Sequence, residues 1–109
     1  MQHRDMIIIT KIASETEFAL KMIGNVPFSE FSQNEILKRA VCMTVINIGE
    51  LVKSLSAEFR LSHNSIPWKA IAGFRDIAAH KYQTLHMEDV YYTVSNDFPM
   101  LYDYIKSIK

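Results

Sequence analysis

Asn34-Glu35-Ile36-Leu37-Lys38-Arg39-Ala40-Val41-Cys42-Met43-Thr44-Val45-Ile46-Asn47-Ile48-Gly49-Glu50-Leu51 decides the fold. No proline interrupts residues 34–59, and Ile36, Ala40, Met43, Asn47, Leu51 and Leu55 recur at three- and four-residue spacing. That is the period of an α-helix. Between 40 and 48 the segment is apolar on nearly every side, so both sides of the helix need cover. Two arrangements supply it in a chain of 109 residues: a central core helix, or a helix shared with a second subunit. A homodimer built partly on this helix is expected. Ser32 and Glu35 form a capping box at its start. Gly49 costs about 1 kcal/mol against alanine inside a helix, which close approach of another helix would offset. Glu50, flanked by apolar residues, suits either an edge position or the partner of a buried or interfacial cation.

The flanking segments are helical too. Over residues 2–23, Ile9, Ile12, Thr16, Leu20 and Ile23 follow the helical period, and Gly24-Asn25 with Pro27 stops the run. Residues 27–32 read as a short connection with Phe28 and Phe31 tucked beneath it. Residues 60–65 read as a polar loop, after which Asn64 or Ser65 caps a third helix with Pro67 in its first turn. Trp68 anchors that helix in the core beside Ile71 and Ala72, and the helix ends near His80. After a loop at 83–86, Thr84 or His86 caps a fourth helix, with Glu88 and Asp89 at its positive end. Val90, Val94, Phe98, Leu101, Ile105 and Ile108 form its apolar stripe, and Pro99 is expected to kink it. Tyr91, Tyr92, Tyr102 and Tyr104 read as packing and rim residues. The result is an all-α, antiparallel four-helix bundle, a single domain over residues 1–109.

Composition narrows the function. Three glycines and three prolines are too few turns for an all-β chain, and 49% hydrophobic residues argue against disorder. Twelve basic and twelve acidic residues cancel, which excludes a general polyanion-coating protein. The balance is uneven, however. Residues 60–82 carry Arg60, Lys69, Arg75 and Lys81 against Asp76 alone, so a phosphate-bearing ligand is drawn there. Cys42 is the only cysteine and reads as a buried structural thiol. His3, His63, His80 and His86 have no ligand-like spacing, so neither metal nor cofactor is expected. No stretch approaches a membrane span and no signal peptide is evident, so a cytoplasmic location is expected.

The chemistry concentrates in Gly73-Phe74-Arg75-Asp76-Ile77-Ala78-Ala79-His80-Lys81-Tyr82. Arginine forks onto phosphate oxygens, and histidine transfers protons near neutral pH. RNA is cut without metal when its own 2′-oxygen attacks phosphorus, given a base, an acid and a cation for the phosphorane. Five residues on a straight helix place Arg75 and His80 about 140° apart. A joint site therefore needs His80 at a helix end or completion across a groove or dimer axis. Asp76, one turn from His80, is placed to orient the imidazole. The bland alternatives are a histidine that complements the helix dipole, a surface Arg75–Asp76 pair and Tyr82 as a core aromatic.

Arg75-Asp76-Ile77-Ala78-Ala79-His80-Lys81-Tyr82 resembles the Arg-x4-His-x-Tyr motif of the HEPN superfamily, in its HepT-like branch of bacterial and archaeal toxins. Ile48-Gly49-Glu50-Leu51, with Leu55-Ser56, resembles that family's second-helix segment. Pro67-Trp68-Lys69-Ala70-Ile71-Ala72-Gly73-Phe74 resembles the run leading into its motif. The resemblance covers essentially the whole chain. It implies a dimeric helical bundle and a metal-independent RNA endonuclease with Arg75 and His80 as the catalytic pair. It also implies a nucleotidyltransferase antitoxin that transfers AMP to Tyr82. The residue after the motif arginine is often Asn in this branch; Asp76 here partly neutralises Arg75. The alternative function is a non-catalytic helical binding partner of a nucleotidyltransferase.

Overall fold

One stripe of α1 (His3–Ile23) buries Ile9, Ile12, Thr16 and Ile23, as the three-and-four spacing requires. The computed structural model describes residues 1–108, and its secondary structure there is helical throughout. Gly24 ends α1 with φ at 50°, a left-handed conformation open to glycine, and its N–H donates to the Leu20 carbonyl. The connection that follows carries one helical turn, α2 (Phe28–Phe31), which buries Phe31 completely.

α3 (Glu35–Lys53) does not begin at a Ser32 capping box. Ser32 closes α2, and Asn34 caps α3 by accepting from the Leu37 N–H at 3.0 Å. Nor does α3 run to residue 59. The chain turns after Lys53 and restarts as α4 (Ala57–Ser62), so residues 60–62 are helical and not loop. The break lies at Ser56. Its hydroxyl accepts from the Phe59 N–H at 3.0 Å, while its own N–H and hydroxyl donate to the Asp5 carboxylate at 2.9 and 2.7 Å. A serine gains more as a cap with these partners than inside a helix.

The buried face of α3 is also not the stripe that the spacing suggests. Val41, Val45, Ile48 and Val52 point inward, whereas Ile36 is 83% and Met43 57% exposed, with Ala40 and Asn47 exposed beside them. Both stripes are real, and the core takes the β-branched one. Cys42 is buried, and that burial pushes its thiol up to about 11, the state of an inert structural cysteine.

α5 (Trp68–His80) follows Pro67, which occupies the cap position in place of Asn64 or Ser65. Trp68 is buried against Phe59, and its indole N–H donates to the His63 carbonyl at 2.9 Å. After a 3-10 turn at Tyr82–Thr84, the last rod comprises α6 (Met87–Tyr92), a π turn at Thr93–Asp97 and α7 (Phe98–Ile108). His86 stands at its cap position without a side-chain bond. Pro99 has no N–H to give, and its ring would press on the Ser95 carbonyl. The helix absorbs it by widening just before it: the Phe98 N–H reaches back five residues to the Thr93 carbonyl. The rod carries on through Pro99 in helical form.

Cross-links fix antiparallel neighbours. Asn47 donates to Glu15 at 3.4 Å between α3 and α1, and the Tyr102 hydroxyl donates to Glu17 at 2.8 Å between α7 and α1. The Tyr91 hydroxyl donates to the Val26 carbonyl at 2.6 Å. α5 leans on α3, with Gly49 against Arg75 and Arg39 over the Tyr82 ring. The four long rods thus form the antiparallel bundle, joined by two short helices. Between α5 and the last rod lies a groove of about 850 Å³, floored by Val45, Phe98 and Leu101. Among the described residues, no helix is long and apolar enough to cross a membrane.

Candidate functional site around Arg75 and His80

Gly49 makes the site possible. A β-carbon built on it would stand 2.1 Å from the Arg75 Cβ, so only glycine lets α5 approach α3 this closely. The side chain of Arg75 lies along that notch and is only 21% exposed. Its Nε sits 2.5 Å from Glu50 Oε1, an ion contact in which the N–H does not aim at the carboxylate. Its Nη1 donates to Asp76 Oδ1 at 3.0 Å, and Lys53 Nζ donates to the same Oδ1 at 2.7 Å. Two carboxylates therefore face two cations. The Lys53 ammonium and then the Arg75 guanidinium hold the Asp76 carboxyl below the usual carboxylate range.

At the site itself the charges cancel, Arg75 and Lys53 against Asp76 and Glu50, so the positive excess read from residues 60–82 resides in Arg60, Lys69 and Lys81. Glu50 and Lys53 are the site residues that the sequence reading did not place there. Their signal was an acid among apolar residues with a cation three positions on, the spacing of one helix face. That signal does not reveal which helix lies opposite.

His80 is the last residue of α5 and is exposed. The helix ends there with the Lys81 N–H donating to the Ile77 carbonyl at 2.9 Å. A helix end at His80 is one of the two arrangements that the 140° offset allows. Asp76 does not hold the imidazole: its Oδ1 is taken by Lys53 and Arg75, and no hydrogen bond links it to His80 among the described residues. It nevertheless shares His80's side of the helix, about 40° away in projection and one turn back. Gly73 falls on the same side, where an added β-carbon would meet nothing within 4 Å.

Tyr82 lies in the 3-10 turn just past α5, half-buried, with the Arg39 guanidinium 5.2 Å from its ring centre. Burial, with Glu35 nearby, keeps its phenol above the ordinary tyrosine range and so protonated at neutral pH. Tyr82 is therefore a packing residue against the first half of α3, two positions past His80 in the chain. No group of three or more His, Cys, Asp or Glu side chains is arranged to hold a metal ion among the described residues.

Comparison with known proteins adds to this geometry. The family profile described as ribonuclease HepT-like matches residues 12–108. A candidate RNase of Caldanaerobacter subterraneus subsp. tengcongensis is 35% identical over 97 residues, covering 89% of this chain and 87% of that protein. A candidate RNase of Methanocaldococcus jannaschii is 26% identical, with 93% and 94% covered. A protein of Thermococcus cleftensis named probable ribonuclease HepT is 28% identical, with 91% and 88% covered. No solved structure matches the chain significantly.

Proposed function

Because this chain belongs to the HepT-like ribonuclease family, we propose that it is a metal-independent RNA endonuclease acting as the toxin of a two-component system. The observation that supports the reading is Arg75 held at the Gly49 notch while His80 stands exposed at the end of the same helix. In this reading one imidazole takes the proton from the RNA 2′-hydroxyl as the 2′-oxygen bonds to phosphorus. The bond from phosphorus to the 5′-oxygen breaks, and an acid returns a proton to that leaving oxygen. Arg75 offsets the extra negative charge on the phosphorane. The products are a 2′,3′-cyclic phosphate and a free 5′-hydroxyl. One chain presents one His80, and a homodimer brings the second imidazole, so one acts as base and the other as acid.

Control falls to a nucleotidyltransferase antitoxin that moves AMP from ATP to the Tyr82 hydroxyl oxygen, which loses its proton as pyrophosphate leaves. The adenylyl group adds bulk and negative charge beside the catalytic pair and blocks phosphate binding.

A second reading, a non-catalytic helical partner of the nucleotidyltransferase, draws support from Glu50 and Asp76 both lying against Arg75. The deciding experiment is RNA digestion in EDTA by the unmodified protein. Cleavage is expected, blocked by a 2′-deoxy substitution at the scissile nucleotide and abolished by His80→Ala with the thermal transition unchanged. A fully active His80→Ala protein removes His80 from the chemistry, and intact RNA with wild-type protein favours the non-catalytic partner.

A further inference from the structure

The arrangement around Asp76 is that of a filled anion site. Asp76 Oδ1 accepts from two cations on two helices, Lys53 Nζ at 2.7 Å and Arg75 Nη1 at 3.0 Å. A non-bridging phosphate oxygen makes the same pair of charge-assisted contacts, and an arginine fork beside an ammonium suits a phosphate well. Asp76 and Lys53 are both about half exposed, so an incoming phosphate can reach them. The position also resolves a difficulty of the catalytic pair. Arg75 points at α3, about 140° away from His80 in projection, whereas Asp76 is turned only about 40° from His80 and one turn back.

We propose that Lys53 is a second phosphate-binding cation, and that in the free protein the Asp76 carboxylate stands where a substrate phosphate sits between Lys53 and Arg75. This rests on the ribonuclease reading and deepens it. RNA binding displaces the carboxylate from both cations, and the phosphate that replaces it lies on the His80 side of α5. Glu50 stays on Arg75 Nε and keeps the guanidinium in the notch, which makes it a positioning residue. Asp76 then acts as an intramolecular competitor that weakens RNA binding, and His80 needs no partnership with it.

The test uses an oligonucleotide that is 2′-O-methylated throughout, so that it binds without being cut, and follows its affinity across a salt series. Lys53→Gln should weaken binding several-fold and flatten the dependence of log affinity on log salt by about 0.7, the loss of one contact to single-stranded phosphate. Lys53→Arg should keep both, and Asp76→Asn should bind several-fold more tightly than wild type. A residue that merely anchored Asp76 would leave the salt slope unchanged. Unaltered affinity and slope in Lys53→Gln, or no gain in Asp76→Asn, overturns the inference. Wild-type protein that binds this oligonucleotide with the Lys53 signature yet leaves unmodified RNA intact supports the phosphate site while refuting the ribonuclease reading; wild-type protein that binds no RNA overturns both.

Discussion

Gly49 and Arg75 meet where α3 passes α5, and a β-carbon on Gly49 would lie 2.1 Å from the Arg75 Cβ and 2.7 Å from its Cγ. Those carbons are anchored to the backbone, so the helices must part to admit even a methyl group. Gly49→Ala gains about 1 kcal/mol of helix propensity and loses about 1–3 kcal/mol to overpacking. A lower urea midpoint is therefore expected. RNA cleavage should fall further than stability does, because the displaced group is Arg75 itself, when both are measured where the variant is fully folded. A Gly49→Ala protein as stable and active as wild type contradicts the close helix approach.

Gly73, on α5, is the opposite case. An added β-carbon there meets nothing, and φ is not positive, so neither space nor backbone demands glycine. Gly73→Ala should stabilise the protein by up to about 1 kcal/mol, raising its melting temperature. Its side of α5 carries Asp76 and His80, where substrate is proposed to lie. A higher melting temperature with a raised KM for RNA and unchanged kcat would show that the bare surface at Gly73 serves substrate approach.

Asp5 carries a pH dependence whose sign can be worked out. The residue is 1% exposed, and burial pushes its carboxyl up, but the bonds from the Ser56 N–H and hydroxyl outweigh this and hold it below an unfolded carboxyl near 3.8. A depressed folded value means stability that is present above the unfolded value and is lost as pH falls through the folded one. Asp5→Ala removes the acceptor, leaves the part-buried donors of Ser56 without it and costs about 1 kcal/mol at neutral pH. In chemical denaturation from pH 6 downward, the gap between wild type and variant should shrink as pH drops below about 3.8. A gap that stays constant with pH would mean that the charge on Asp5 contributes nothing.

The bundle was legible because the helical period recurs in the long segments, and α1 and the last rod turned most of their stripes inward as written. α3 was harder. Two apolar stripes compete there, and periodicity alone cannot say that Val41, Val45, Ile48 and Val52 win over Ile36 and Met43. The break at Ser56 was hidden for a similar reason, since its partner Asp5 is fifty-one residues away. At the site, the end of α5 at His80 was legible locally, while Arg75 and His80 were singled out by the motif that resembles the family's. Glu50 and Lys53 were not, because their meaning arises only when α3 lies against α5.

The outward stripe of α3 leads to the last prediction. Ile36, Ala40, Met43 and Asn47 are exposed on one side of the helix, and Glu50, three residues on, continues the line to Arg75. A second copy seated on this stripe covers apolar surface that water otherwise meets and brings its own Arg75 cluster near the first. That is the proposed homodimer, and it accounts for a helix apolar on both sides. Met43→Lys should divide the mass found by light scattering from twice 12.6 kDa to 12.6 kDa. The monomer's own stability should change little, because Met43 is 57% exposed in the single chain. Cleavage should drop with the mass if the two imidazoles work together. Ile77→Lys is the control, since Ile77 lines the groove between α5 and the last rod and lies off the stripe. If Ile77→Lys dissociates the protein and Met43→Lys does not, the subunits meet across that groove and the α3 stripe has another use.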